Sequence, residues 1–158
     1  MTDSTSSDTP VFTVRDMEER DLAEVVRLEK IIFPDPWPKS AFTEQISGEG
    51  WGALVAEADG VVVGYGCYFT VDIEAHLTNI AVREDYRRKS VANVLLDIIL
   101  QRVAQERCQY LLLEVRQSNS IARTFYERRG FRTLYQRPNY YRRPVEDALV
   151  MVYYLDSN

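Results

Sequence analysis

A mixed α/β fold with parallel pairing near its middle is the architecture the sequence predicts, on three observations. Short apolar or alternating runs of strand length recur along the chain, and segments with apolar residues at helical spacing interrupt them. A strand, a helix and a strand also follow one another over 75–82, 91–103 and 110–115, a crossover that returns in the same direction.

The elements follow in order. Residues 1–10 are mostly Ser, Thr and Asp, a composition that does not repay the entropy of ordering, so a flexible tail is expected before a single domain over 11–156. Residues 11–15 alternate as a strand, and Leu22, Val25, Val26, Leu28 and Ile32 mark a helix within 16–32. Pro34, Pro36 and Pro38 end it, each removing a donor and restricting the preceding residue, and leave a rigid loop carrying Phe33 and Trp37. A short helix over 40–46 stops at the Gly-containing 48–50 segment. Strands over 53–58 and 61–71 flank Asp59-Gly60, a dipeptide suited to a tight hairpin turn.

After the strand over 75–82, Val91, Val94, Leu95, Ile98, Ile99 and Arg102 mark one helical face. Residues 110–115 read as a buried strand and 119–129 as a helix stopped by Gly130. Strands over 131–136 and 149–155 complete the chain, with a polar, aromatic loop between them. The predicted order is β-α-α-β-β-β-α-β-α-β-β, a central mixed seven-stranded sheet.

Composition narrows the function classes. Hydrophobic residues make up 46% and charged residues 27%, as in ordinary globular chains. A net charge of −5 argues against direct nucleic-acid binding, which needs a surplus of cations. Cations nevertheless cluster at Arg83, Arg87, Arg88 and Lys89, and again at Arg128, Arg129, Arg132, Arg137, Arg142 and Arg143. Cys67 and Cys108 are far apart in apolar surroundings, which suggests buried thiols rather than a disulfide or a metal site. The sole histidine, His76, has no nucleophile motif beside it and reads as structural. No apolar run approaches the ~18–20 residues of a membrane span, and no basic-then-apolar leader is visible, so a cytoplasmic protein without a membrane partner is expected.

Two segments carry chemistry. The first runs Asn79-Ile80-Ala81-Val82-Arg83-Glu84-Asp85-Tyr86-Arg87-Arg88-Lys89-Ser90-Val91-Ala92, a strand, a basic turn and a helix start. A helix N terminus offers free N–H groups and the positive end of its dipole to phosphate. By residue content alone the turn reads equally as a solvated basic loop. The second contains Leu113-Glu114-Val115-Arg116-Gln117-Ser118-Asn119, then Phe125-Tyr126-Glu127-Arg128-Arg129-Gly130-Phe131.

The first segment resembles the acetyl-coenzyme A loop of GNAT acetyltransferases, Q/R-x-x-G-x-G/A, with Arg87 and Ala92 matching its ends and Ser90 replacing its first glycine. The second is similar to the E-V-R-x-S-N … Y-E-x-x-G-F signature of RimI-type enzymes, acetyltransferases of ribosomal-protein N termini. Arg137-Pro138-Asn139-Tyr140-Tyr141, Glu146-Asp147-Ala148 and the Phe33-Pro34 and Trp37 loop fit the same family. The resemblance covers about 12–155.

It implies acetyl-coenzyme A as acyl donor without a metal, with Glu114 as general base and Tyr126 as general acid. A protonated amine cannot attack a thioester, so a carboxylate must take its proton and a phenol can protonate the departing thiolate. The implied donor-binding residues are Ile80, Ala81, Val82, Arg87, Arg88, Lys89, Ser90, Val91, Ala92, Asn119 and Tyr126, with main-chain N–H groups near 80–82 polarising the carbonyl. Phe33, Trp37, Tyr140 and Tyr141 are the implied acceptor-binding residues. The expected partner is the N terminus of small-subunit ribosomal protein eighteen or of another protein, drawn by an acidic face around Asp35, Glu44, Glu146 and Asp147. The expected assembly is a monomer or weak dimer.

Residue by residue, structural readings stand beside these: Glu114 paired with an arginine, Tyr126 as a core tyrosine, Tyr140 and Tyr141 on a surface loop. Rival functions are a lysine or small-amine acetyltransferase of the same fold, and a non-catalytic acyl-coenzyme A-binding module.

Overall fold

The computed structural model describes residues 11–155. The tail expected over 1–10, and residue 156 of the expected domain, lie outside them. The described residues fall into two compact units, one running to Cys67 and including Asn79–Ile99, the other made of Tyr68–Thr78 and the chain from Leu100 onward. Seven strands form one sheet in the order β1-β2-β3-β4-β5-β7-β6. Among the described residues no helix is long and apolar enough to cross a membrane.

In the first unit, β1 (Thr13–Asp16) pairs antiparallel with β2 (Trp51–Ala58), Val14 lying opposite Ala56. A single 3-10 turn at Glu19–Asp21 leads into α1 (Leu22–Ile32), shorter than the helix expected over 16–32. Arg15 explains the late start. Its guanidinium donates two bonds to the Asp21 carboxylate, at 2.8 and 2.9 Å, and one to Glu57 at 2.8 Å, so β1 and the turn are clamped before the helix begins. The helix then buries Leu22, Val25 and Leu28 against Phe42 of α2 (Lys39–Ser47), Val55 and Tyr65.

β3 (Val61–Val71) and β4 (Glu74–Val82) follow, then α3 (Val91–Gln105). Val91, Leu95, Leu96 and Ile99 are buried on α3, as its apolar spacing requires. The turn before it contains two residues in the left-handed region, Arg88 at φ 64° and Ser90 at φ 70°. Ser90 stands where the related loops carry glycine, and its Cβ makes this conformation costly by about 1 kcal/mol.

In the second unit, β5 (Tyr110–Arg116) pairs parallel with β4 over Glu74↔Tyr110, Ala75↔Leu111 and His76↔Leu112. Its other edge pairs antiparallel with β7 (Val145–Tyr154), from Tyr110↔Tyr154 to Arg116↔Ala148. α4 (Ser120–Arg128) lies between β5 and β6 (Arg132–Arg142) in sequence. The polar loop expected between residues 136 and 149 is instead the hairpin of β6 and β7, with Tyr141 opposite Glu146. An edge strand explains the difference. β6 is exposed along nearly its whole length, so it needs no apolar alternation, and an edge tolerates Pro138. The register shifts between Arg137 and Tyr141, where Asn139 takes φ 51°, a left-handed conformation asparagine accepts readily.

Two outcomes follow from these clamps and strains. Burial alone would raise the Asp21 carboxyl, but the Arg15 bonds and the Glu18 N–H at 2.8 Å outweigh it and hold it below its ordinary value. Its contribution is therefore present above about pH 4 and is lost as pH falls through the lower folded value, and D21N costs about 2 kcal/mol in urea titration at pH 7, less near pH 3. S90G raises stability by about 1 kcal/mol in the same measurement, by removing the Cβ from a left-handed residue.

Candidate active site

The second unit holds Glu114, Asn119, Tyr126, Tyr140 and Tyr141; the other expected site residues belong to the first. Burial alternates along β5, with Leu113 and Val115 fully covered and Glu114 half-buried on the opposite face beside Leu112 and Arg116. Arg137 Nη1 is 3.9 Å from Glu114 Oε2, too long for a hydrogen bond, so this is a loose ion pair on the half-exposed side of the carboxylate.

Tyr140 and Tyr141 register that charge. Burial first, then Tyr140 and Glu114, push the Tyr141 phenol up to about 12, while burial and Glu114 raise Tyr140 against the opposing effect of Arg137. The two rings meet edge to face at 5.0 Å. Arg116 lies over Tyr141 at 4.2 Å and Arg137 over Tyr140 at 4.4 Å. Thus β5 and the β6 edge bring one carboxylate and two phenols together, on strand positions rather than the loop the sequence suggested.

The motif residues around them act as clamps that sequence reading did not assign. Arg116 donates to the carbonyls of Arg143 and Pro144, each at 3.0 Å, and so holds the hairpin turn. Glu146 accepts from Ser118 N–H at 2.6 Å and pairs with Arg116 at 3.3 Å. Asp147 accepts from Asn139 N–H at 2.8 Å and from Gln136 Nε2 at 2.6 Å. The Ser118 and Asn139 bonds, respectively, lead the causes that hold these two carboxyls below their ordinary values. Both members of the expected acidic face on the hairpin are therefore engaged within the chain.

Tyr126 sits on α4 with 5% of its surface exposed. Its position follows from how the helix ends. Phe131 N–H donates to the Tyr126 carbonyl at 3.0 Å and Gly130 N–H to the Glu127 carbonyl at 3.1 Å, with Gly130 at φ 98°. This is the paired-bond stop that requires a left-handed residue, and it explains the spacing from tyrosine to glycine in the sequence. Phe125 and Phe131 flank the ring at 5.1 and 5.4 Å. Burial, then the neighbouring Tyr141, raises the phenol well above its ordinary value, so it remains a proton donor at neutral and alkaline pH. Asn119 caps the start of the same helix, its Oδ1 accepting from Ala122 N–H at 3.1 Å, which leaves its amide NH2 as the donating end.

In the first unit, Ile80, Ala81 and Val82 end β4, beyond the three residue pairs that join this strand to β5. Arg87 Nε donates to the Val82 carbonyl at 3.0 Å and closes the turn, while Arg88, Lys89 and Ser90 are exposed. Val94 N–H donates to the Ser90 carbonyl at 3.0 Å, so Ser90 opens α3 and Val91 and Ala92 form its first turn. Gly64 lets β3 lie close here: a Cβ on it would stand 3.0 Å from Val91 Cγ1 and 3.1 Å from the Ala81 carbonyl. The turn thus presents exposed cations and a helix N terminus, a combination suited to phosphate.

Phe33 and Trp37 are half-buried and pack on the core of the first unit, Trp37 at 5.3 Å from Phe42. Trp37 N–H donates to Glu29 Oε2 at 3.0 Å. Glu29, 2% exposed, was missed; its signal was an acid placed on the same helical face as Leu22, Val25 and Ile32.

Comparison with known proteins identifies the family and the fold. The Acetyltransferase (GNAT) family matches residues 22–131. The [ribosomal protein bS18]-alanine N-acetyltransferase of Escherichia coli K12 is 32% identical over 143 residues, covering 88% of this chain and 95% of that protein. The crystal structure of the Escherichia coli ribosomal-protein-S18-alanine N-acetyltransferase superposes with a TM-score of 0.84 at 30% identity, covering 92% of this chain and 95% of the other. Arabidopsis thaliana NAA60, crystallised in complex with acetyl-CoA, shares the fold alone, with a TM-score of 0.83 at 18% identity over 92% of this chain and 99% of that one. With the family matched over most of its length and its fold shared with these structural neighbours, this chain belongs to the GNAT acetyltransferases and is an N-acetyltransferase of the RimI type.

Proposed function

We propose that this chain transfers the acetyl group of acetyl-coenzyme A to the α-amine of a ribosomal-protein N terminus, an alanine on the protein of the S18 type, in the cytoplasm. The observation that carries the chemistry is the half-buried Glu114 carboxylate, with Arg137 no nearer than 3.9 Å and Tyr140 and Tyr141 beside it. The acceptor rests on the relatives, which are named for acting on that alanine.

Each residue has one task. Glu114, directly or through water, removes a proton from the ammonium group, and the free amine attacks the thioester carbonyl. As the C–N bond forms, N–H groups of 80–82 stabilise the charge on oxygen. The C–S bond then breaks as Tyr126 protonates the leaving thiolate, the nitrogen gives up its second proton to restore the phenol as the amide forms, and Glu114 releases its proton to solvent. Arg87, Arg88, Lys89 and the first turn of α3, with Ser90, Val91 and Ala92, hold the pyrophosphate of the donor; the Asn119 amide adds a further anchor. Tyr140, Tyr141, Phe33 and Trp37 receive the peptide.

Acceptor choice has an energetic side. Deprotonating an α-amine of pKa near 7.8 costs about 1 kcal/mol at pH 7, against about 4.6 for a lysine near 10.4, so a single carboxylate base suits the first better.

Three acceptors test the reading by mass spectrometry and thiol release: a peptide that begins with alanine and copies the S18 N terminus, a peptide with lysine and a blocked N terminus, and spermidine as a small amine. The alanine peptide is acetylated on its α-amine; an unmodified α-amine would reject the assignment. E114Q lowers kcat/KM about 100- to 1,000-fold with donor affinity by calorimetry unchanged, and wild-type turnover in that variant would remove Glu114 as base. Because burial keeps Tyr126 protonated, the wild-type rate rises from pH 6 to about 8 with the acceptor amine and does not fall by about pH 9.5.

A further inference from the structure

The first unit contains a buried carboxylate that the mechanism does not use. Glu29 Oε1 accepts from the Tyr65 hydroxyl at 2.7 Å and from Asn79 Nδ2 at 2.9 Å, and Oε2 accepts from Trp37 N–H at 3.0 Å. It is 2% exposed. Such a group is costly to bury unless its lone pairs are met, and here three donors from three separate segments meet them.

Those segments are informative. Trp37 belongs to the loop over 33–38, which three prolines stiffen but which has no strand or helix of its own to fix its height above the core. Asn79 immediately precedes Ile80, Ala81 and Val82 on β4. Tyr65 lies on β3 and is itself fully buried, its ring edge-on to Phe42 at 5.8 Å, while Phe42 in turn touches the Trp37 ring. One carboxylate therefore ties the loop's main chain to β4 just before the segment assigned to the acyl carbonyl.

We infer that Glu29 is a positioning residue for the acceptor: it fixes the Trp37 main chain against β4 and thereby sets where Phe33 and Trp37 meet the peptide. This rests on the acceptor-binding reading of those two side chains. The chemistry of the contact makes it specific. A glutamine cannot accept from all three: with its oxygen on Trp37 N–H its NH2 meets Tyr65 and Asn79, which must then turn to accept, and its neutral oxygen holds the Trp37 N–H more weakly than a carboxylate does.

The test compares E29Q with V25A, which removes packing from the same helix without touching the three bonds. E29Q raises KM for the alanine-ended peptide about tenfold, leaves kcat and the KM for acetyl-coenzyme A within twofold, and speeds hydrogen exchange of the Trp37 amide at least tenfold. V25A lowers the melting temperature and leaves peptide KM and Trp37 exchange within twofold. If E29Q does not fold, E29D, still a carboxylate but one methylene shorter, is measured in its place with the same expectations. Unchanged Trp37 exchange, unchanged peptide KM, or an equal rise of KM in V25A would each overturn the inference. A wild-type enzyme inactive on every peptide would reject the acceptor reading, and Trp37 exchange would still decide the anchor.

Discussion

The antiparallel ladder of β5 with β7 is the constraint on which the second unit depends. Its register from Tyr110↔Tyr154 to Arg116↔Ala148 fixes which face of β5 is buried, and a slip of one residue would turn Glu114 into the core and Leu113 or Val115 out of it. The next ladder outward, β7 with β6, places Tyr141 opposite Glu146. Glu114 and Tyr141 are therefore held by main-chain pairing, with Tyr140 next to Tyr141 at the end of the register shift.

Side-chain clamps then convert that ladder into a shaped surface. Arg116 grips the hairpin turn by two carbonyls and covers Tyr141; Glu146 holds Ser118, and Asp147 holds the left-handed bulge at Asn139. These are partly exposed bonds, each of modest worth, but they share residues and so fix one geometry together. The helix stop at Gly130 does the same for Tyr126, whose carbonyl accepts from Phe131 and whose ring packs on it. Substitution of Gly130 would meet both a φ of 98° and the Tyr153 ring, 3.1 Å from an added Cβ.

In the first unit the polar anchors serve the same end by different means. Arg15 joins β1, β2 and the turn before α1 through Asp21 and Glu57, and Glu29 joins α1, β3, β4 and the Trp37 loop. Both sit where an apolar core contact could not specify a main-chain position, since dispersion is non-directional and a hydrogen bond is not.

The sequence by itself determined the element order and, for six of the seven strands, their place to within a few residues, because period-2 and helical apolar spacings are local signals. It also determined the family, through motifs whose spacing is set by a helix stop and a strand end. The tertiary structure decided what those signals cannot carry. Strand β6 lies at a sheet edge, where no burial pattern is imposed, so 137–142 read as loop from composition yet pair with β7. Glu29 looked like any helical glutamate, because its three donors come from residues 37, 65 and 79, distant in sequence and adjacent only after folding. Glu146 and Asp147 read as an exposed acidic face until the hairpin brought main-chain N–H groups to them. Charge and period are written along the chain; which partner satisfies a buried or turned polar group is settled only when remote segments meet.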